Sequence, residues 1–118
     1  AAVHADAVRW EDTDWNEIVA LYGLLELQWP SPVVRLNRAV ANGFAFGPVA
    51  GLAALDALSS EPALATYHYL PAARADFLRR LGRVEEARRA YGEALLLCTN
   101  GAERAFLSAR LASVEPHP

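Results

Sequence analysis

Between Arg74 and Leu97 the chain runs RADFLRRLGRVEEARRAYGEALLL, and few arrangements accommodate that stretch. Ala75, Leu78 and Leu81 recur every three residues and Gly82 follows, which predicts a helix closed by glycine. Beyond it, Ala87, Tyr91, Ala94 and Leu95 place a second apolar stripe at helical spacing. Two helices joined by so short a turn must lie antiparallel, face to face. Small residues on the facing stripes let the backbones approach, so Tyr91 is expected to be buried between them with Ala75, Leu78 and Ala87 around it.

Counted from Gly82, a small residue follows at the fifth position, an aromatic at the ninth and another small residue at the twelfth, with Ala75 seven before. This spacing resembles a tetratricopeptide repeat, in which paired helices stack into a superhelix. Leu78 stands where that repeat usually has an aromatic, and Thr99 where it usually closes with proline. Setting Arg38-Ala39 over Arg74-Ala75, an offset of 36, also sets Gly51 over Ala87, Leu55 over Tyr91 and Leu58 over Ala94. The sequence therefore predicts two copies of one hairpin.

The remaining elements follow from their start and stop signals. Residues 1–8 have the pattern of a helix end and 9–13 of a polar connection. Asp14 is placed to cap a helix, with Glu17 in capping-box position and Trp15, Ile18, Tyr22 and Leu25 as its stripe. That helix should stop before Trp29-Pro30, with Trp29 folding back on the core, Ser31 capping and Pro32 opening the next helix. The next helix is predicted over Val33 to about Asn42 (Val34, Leu36, Ala39 and Val40 apolar), then a loop over Gly43–Gly47, then a helix from Pro48 with Leu52, Leu55 and Leu58 inward. Thr66 is expected to cap the helix leading to Leu81, where Pro71 should force a kink or a late start. After Asn100-Gly101, a closing helix over Ala102–Val114 should turn Phe106, Leu107 and Leu111 inward. Residues 115–118 are expected to be a disordered tail. The fold expected is all-α, antiparallel hairpins in a right-handed superhelical array over residues 14–114.

Composition excludes several functions. No apolar run of membrane-spanning length occurs, and the opening AAVHADAV lacks both methionine and the basic start of a signal peptide, so a fragment of a longer protein is expected. All eleven basic residues are arginine. Residues 1–30 carry a charge near −5 and the remainder near +2, which argues against a dedicated nucleic-acid surface. His4, His68 and His117 have no paired spacing, and the single Cys98, at the end of a stripe, is expected to be a buried apolar residue without metal-ligand neighbours. Gly43, Gly47 and Gly51 recur every four residues, yet without a phosphate loop's Gly-Lys-Ser/Thr ending or preceding strand they are expected to serve turns and close packing. No catalytic residue, cofactor or metal ligand is predicted.

Arg74, Arg79, Arg80, Arg83, Arg88 and Arg89 are interleaved with Asp76, Glu85 and Glu86 at helix spacing, which predicts local ion pairs. Repeats of this kind bind partners in the groove lined by the first helix of each hairpin. On this alignment that puts Asn37, Tyr69, Asp76, Arg79 and Arg80 toward the groove, and Asp14, Glu17 and Glu26 form a second, acidic helix contact.

Five blocks taken together resemble a particular family. HADAxxxEDTDWNEIVALYGLL (4–25, x being any residue), SPVVRLNRAVA (31–41), GPVAGLAALDAL (47–58), YHYLPAARADFLRRLGR (67–83) and AYGEALLL (90–97) are similar, in order and over nearly the whole chain, to the C-terminal extension of one group of bacterial extracytoplasmic-function RNA polymerase sigma factors. The resemblance implies that two sigma domains, which grip core polymerase and read the promoter, lie upstream. It implies a non-enzymatic helical-repeat module that regulates transcription initiation by contacting the sigma domains or RNA polymerase, with no direct DNA binding. Phe44 and Phe46 stand where that family has a polar or acidic turn residue. The alternative is a free-standing helical repeat or sensor that binds a peptide or small ligand.

Overall fold

The structure is a computed structural model and describes residues 14–114. Among the described residues six α-helices follow one another: α1 (Trp15–Gln28), α2 (Pro32–Phe46), α3 (Pro48–Asp56), α4 (Tyr69–Arg80), α5 (Val84–Leu97) and α6 (Gly101–Ser113), with a 3-10 turn at Pro62–Leu64. No strand occurs among the described residues, and the fold is all-α. Each helix packs mainly on its neighbours in sequence, most extensively α4 on α5, α2 on α3 and α1 on α2. The expectations for residues 1–13 and 115–118, including those for His4 and His117, fall outside the described residues.

The α4/α5 hairpin forms as its spacing predicts. Gly82 takes φ 76°, its N–H bonds to the Arg79 carbonyl, and the Arg83 N–H reaches back to the Leu78 carbonyl, both at 3.0 Å. These two bonds satisfy carbonyls that the helix end would leave bare, in a conformation glycine adopts without strain. Tyr91, Ala75, Leu78 and Ala87 are all fully buried.

In the α2/α3 hairpin the close approach depends on glycine. A Cβ on Gly51 would lie 2.7 Å from the Gly43 Cα and 2.7 Å from Phe77 Cε2, and one on Gly43 would clash with the edge of the Phe77 ring, 2.1 Å from Cζ. Gly47, at φ 103°, makes the turn between the two helices. The four-residue glycine spacing thus serves packing, turning and packing again. Phe77, absent from the predicted stripe of its helix, is the wedge that the two packing glycines receive, and only 1% of it is exposed.

Several local expectations need correction. Helix α2 continues through Gly43–Phe46, where a loop was expected, because Phe44 is held by packing against Trp15 (ring centroids 4.7 Å apart) and Phe77 (5.6 Å). Thr66 caps nothing: it lies in a turn and α4 starts later, after His68. That late start makes Pro71 the third helical residue, where its missing N–H costs no helical bond. Ser31 precedes α2 but makes no side-chain cap bond, since Pro32 sets the entry geometry. Trp29 does not fold back on the core and is 64% exposed, its N–H closing α1 on the Leu25 carbonyl. Phe106 is 54% exposed, whereas Leu107 is buried as expected. Asp14 does cap α1, accepting the Glu17 N–H at 3.1 Å.

No helix among the described residues is long and apolar enough to cross a membrane. Leu21, Leu24 and Leu27 on α1 are nonetheless largely exposed, and α1 buries none of its residues fully.

Candidate functional site

Helices α2, α4 and α6 wall a cavity of about 340 Å³. Val40 and Phe44 come from α2, Tyr69, Ala72, Ala73, Asp76 and Phe77 from α4, and Glu103, Phe106 and Leu107 from α6, with His68 at the edge. Alanines in the middle of α4 leave the space that the aromatic rings surround. A second cavity of about 310 Å³ shares Val40, Phe44 and Tyr69 with the first and continues to Trp15, Ile18 and Tyr22 on α1 and Asn37 on α2. The two form one groove, largely apolar and rich in aromatic side chains.

Asp76 is its principal fixed charge. The buried Tyr91 hydroxyl donates a hydrogen bond to the Asp76 carboxylate and accepts one from Arg79 Nε at 3.3 Å. Arg79 and Arg110 each place a guanidinium nitrogen 3.9 Å from the same carboxylate. Burial first, and then the Asp76 hydrogen bond, push the Tyr91 hydroxyl pKa up to about 12. Tyr69 is raised too, chiefly by burial and secondarily by Tyr67, Tyr22 and Asp76.

The five groove residues named from sequence divide accordingly. Asn37, Tyr69 and Asp76 line the cavities. Arg79 lines neither, because its guanidinium turns toward Tyr91 and the hairpin. Arg80 lies over the Phe44 ring, 4.7 Å from its centroid, covering one wall from outside. Of the acidic helix residues, Asp14 is engaged as a cap, Glu17 is exposed, and Glu26 pairs with Arg38 at 3.7 Å across the α1/α2 contact. Arg83 pairs with Glu86 at 2.6 Å and Arg88 with Glu85 at 3.4 Å as expected, whereas Arg74 reaches Asp56 of the other hairpin at 2.9 Å instead of a local acid.

Phe44, Phe77 and Phe106 were not among the groove residues expected, although all three are apolar side chains at helical spacing on groove-side helices. The expectation that Cys98 lacks metal-ligand neighbours does not hold either. His68 and Glu103 offer donor atoms that lie, with the Cys98 sulfur, within 4.8 Å of one another. They come from three different helix ends, so no spacing in the sequence reveals them.

The chain is 45% identical over all of its 118 residues to an uncharacterized protein of Rhizobium meliloti (strain 1021), and it spans 27% of that relative's length. No known protein family matches the chain. No solved structure matches it either.

Proposed function

We propose that this chain is a tetratricopeptide-like protein-binding module at the C-terminal end of a bacterial extracytoplasmic-function sigma factor. In this reading the α2/α3 and α4/α5 hairpins are successive repeats of a right-handed array closed by α6, and the module acts in the cytoplasm. The observation that carries the binding role is the groove: α2 and α4, the first helices of the two pairs, and the closing α6 present aromatic and alanine walls around the anchored Asp76 carboxylate. Such a surface suits an apolar peptide segment or helix that carries a basic group for Asp76. The five sequence blocks support the sigma-factor assignment. The relative, with nearly three-quarters of its length outside the match, has room for the two upstream domains. The partner is then a segment of those domains or of RNA polymerase, and the module has no chemistry of its own.

The test uses the full-length protein. Deleting residues 14–114 should change output from the target promoter while promoter recognition by the upstream domain persists. Tyr69→Ala with Phe106→Ala, which removes exposed groove walls, should reproduce part of that change. Unchanged output after the deletion would sink the regulatory role. Normal output from the groove variant alone would move the contact to the face of α1 around Asp14, Glu17 and Glu26. A cavity of about 340 Å³ also falls within the range that holds small molecules, which favours the sensor alternative as second reading. In that case a ligand, rather than a protein segment, would stabilise the chain.

A further inference from the structure

At the opposite end of the hairpin from Gly82, three helix termini converge. His68 is the residue before α4, Cys98 the residue after α5, and Glu103 sits in the first turn of α6. His68 Nε2 lies 2.8 Å from Glu103 Oε2, and the Cys98 sulfur lies 3.7 Å from the same oxygen. Each residue offers one donor atom, and all three atoms fall within 4.8 Å of one another.

We propose that His68, Cys98 and Glu103 form a binding site for a zinc ion. The donor set is one thiolate, one imidazole and one carboxylate, the ligand types zinc accepts, and zinc is also held elsewhere by three protein ligands with water in the fourth position. Sulfur discriminates against magnesium and calcium, which take oxygen ligands. With Cys98 and Glu103 ionised and His68 neutral, the ligands carry two negative charges and neutralise the ion. Bonds of about 2.0–2.3 Å in a tetrahedron place ligand atoms about 3.5 Å apart. The His68–Glu103 and Cys98–Glu103 separations, 2.8 and 3.7 Å, bracket that value.

The surroundings hold two of the ligands in place. The Asn100 side chain accepts the Glu103 N–H at 3.0 Å, and Arg104 Nη1 donates to the Cys98 carbonyl at 2.9 Å. The short connection carrying both ligands is thereby fixed, as supporting hydrogen bonds fix metal ligands elsewhere. Cys98 is only 3% exposed, whereas the Glu103 side chain is 53% exposed and provides access. His68 and Glu103 also border the larger cavity. A zinc ion held by these residues would have the groove beside it, from which water would complete its coordination. The site would pin α6 to the start of α4 and so fix the groove's width at that end.

The proposal is tested on the full 118-residue chain, reduced and metal-free, titrated with zinc alone against a chromophoric chelator and with cobalt as a spectroscopic probe. The expected result is one equivalent bound at micromolar or lower zinc, a thiolate-to-cobalt charge-transfer band, and slower alkylation of Cys98 when zinc is present. Glu103→Gln and His68→Ala should each weaken binding at least about tenfold, and Cys98→Ser should abolish the charge-transfer band. Glu103 is exposed, so Glu103→Gln tests the site even if Cys98→Ser does not fold, and circular dichroism checks each variant. Absence of micromolar binding would overturn the proposal and leave an ordinary His68–Glu103 hydrogen bond beside a buried thiol. Binding that survives both Glu103→Gln and His68→Ala, or a cobalt complex without the thiolate band, would overturn it equally by placing the metal elsewhere.

Discussion

Removing one oxygen atom from Tyr91 should make the stability of this domain respond differently to alkali. In the wild type the Tyr91 hydroxyl is buried, donates to Asp76 and accepts from Arg79, and its pKa stands at about 12 against an ordinary value of 10. Because the folded-state value is raised, the contribution is fully present below pH 10 and is lost as pH climbs through 12. A rise from 10 to about 12 sets an upper limit of about 3 kcal/mol on the stability lost across that window, and solvent screening beside the groove lowers it. Tyr91→Phe keeps the ring and removes both the hydrogen bond and the titration. At pH 8 it should cost about 1.5–3 kcal/mol, the range for a hydrogen bond to a charged group. Tyr91→Ala, which also empties the space between the helices, should cost about 3–5 kcal/mol. Urea unfolding followed by circular dichroism at pH 8, 10, 11 and 12 measures both proteins, and phenolate absorbance reports how many of the four tyrosines titrate before unfolding. Tyr69 is shifted in the same direction and acts in both proteins, so the difference between them isolates Tyr91. Parallel stability curves from pH 9 to 12, or a loss below about 0.5 kcal/mol at pH 8, would refute the reasoning, since either result would mean that the hydroxyl is hydrated rather than bonded to Asp76.

Glycine substitutions should separate packing from propensity. Gly51→Ala should destabilise by about 1–3 kcal/mol in chemical denaturation, because its Cβ meets the Gly43 backbone as well as Phe77. Gly92→Ala, with nothing within 4 Å of the new methyl, should stabilise by about 0.5–1 kcal/mol through helix propensity alone. Gly82→Ala should cost about 1–2 kcal/mol, since φ 76° disfavours a side chain. The isolated domain should show no salt-dependent binding to duplex DNA at micromolar concentration and physiological salt, measured by fluorescence anisotropy, because most of its described arginines are engaged with acids or an aromatic ring.

What the sequence discloses about this fold is what short-range physics decides. Gly82 and the Ala75/Ala87/Tyr91 pattern lie within one hairpin, so their spacing alone specifies the turn and the buried aromatic. Asp14 and Glu17 are similarly local, and the cap forms. Gly43–Phe46 is the opposite case: two aromatics after a glycine suggest a loop, yet helix α2 persists because Phe44 gains contacts with Trp15 on one helix and Phe77 on another. Phe77 escapes a three-residue periodicity because α4 packs on two sides. Ala75 and Leu78 belong to the interface with α5, while Phe77 belongs to the glycine-lined interface with α2 and α3. The groove is legible in part for the same reason. Asn37, Tyr69 and Asp76 follow from which helix comes first in each pair, whereas the direction of Arg79 depends on a hydroxyl from the neighbouring helix. His68, Cys98 and Glu103 converge only once three helices have packed.

Two residues tie the groove to the core, Phe77 as a core residue and Asp76 through its hydrogen bond to the buried Tyr91, and this limits how the groove can be perturbed. Phe77 forms part of the cavity wall with one face and fills the space left by Gly43 and Gly51 with the rest of its ring. Asp76 lines the same cavity while accepting the buried Tyr91 hydroxyl. A cationic group entering the groove would compete with Arg79 and Arg110 for Asp76 and weaken its hold on Tyr91, so occupancy of the groove is coupled to the packing of α4 against α5. The coupling works in both directions: variants at Tyr91 or Gly51 should change groove affinity without touching a ligand. It follows that Asp76→Ala cannot separate loss of binding from loss of fold. Tyr69 and Phe106, exposed on the walls and outside the buried core, are the positions where a change in partner binding reports on the groove alone.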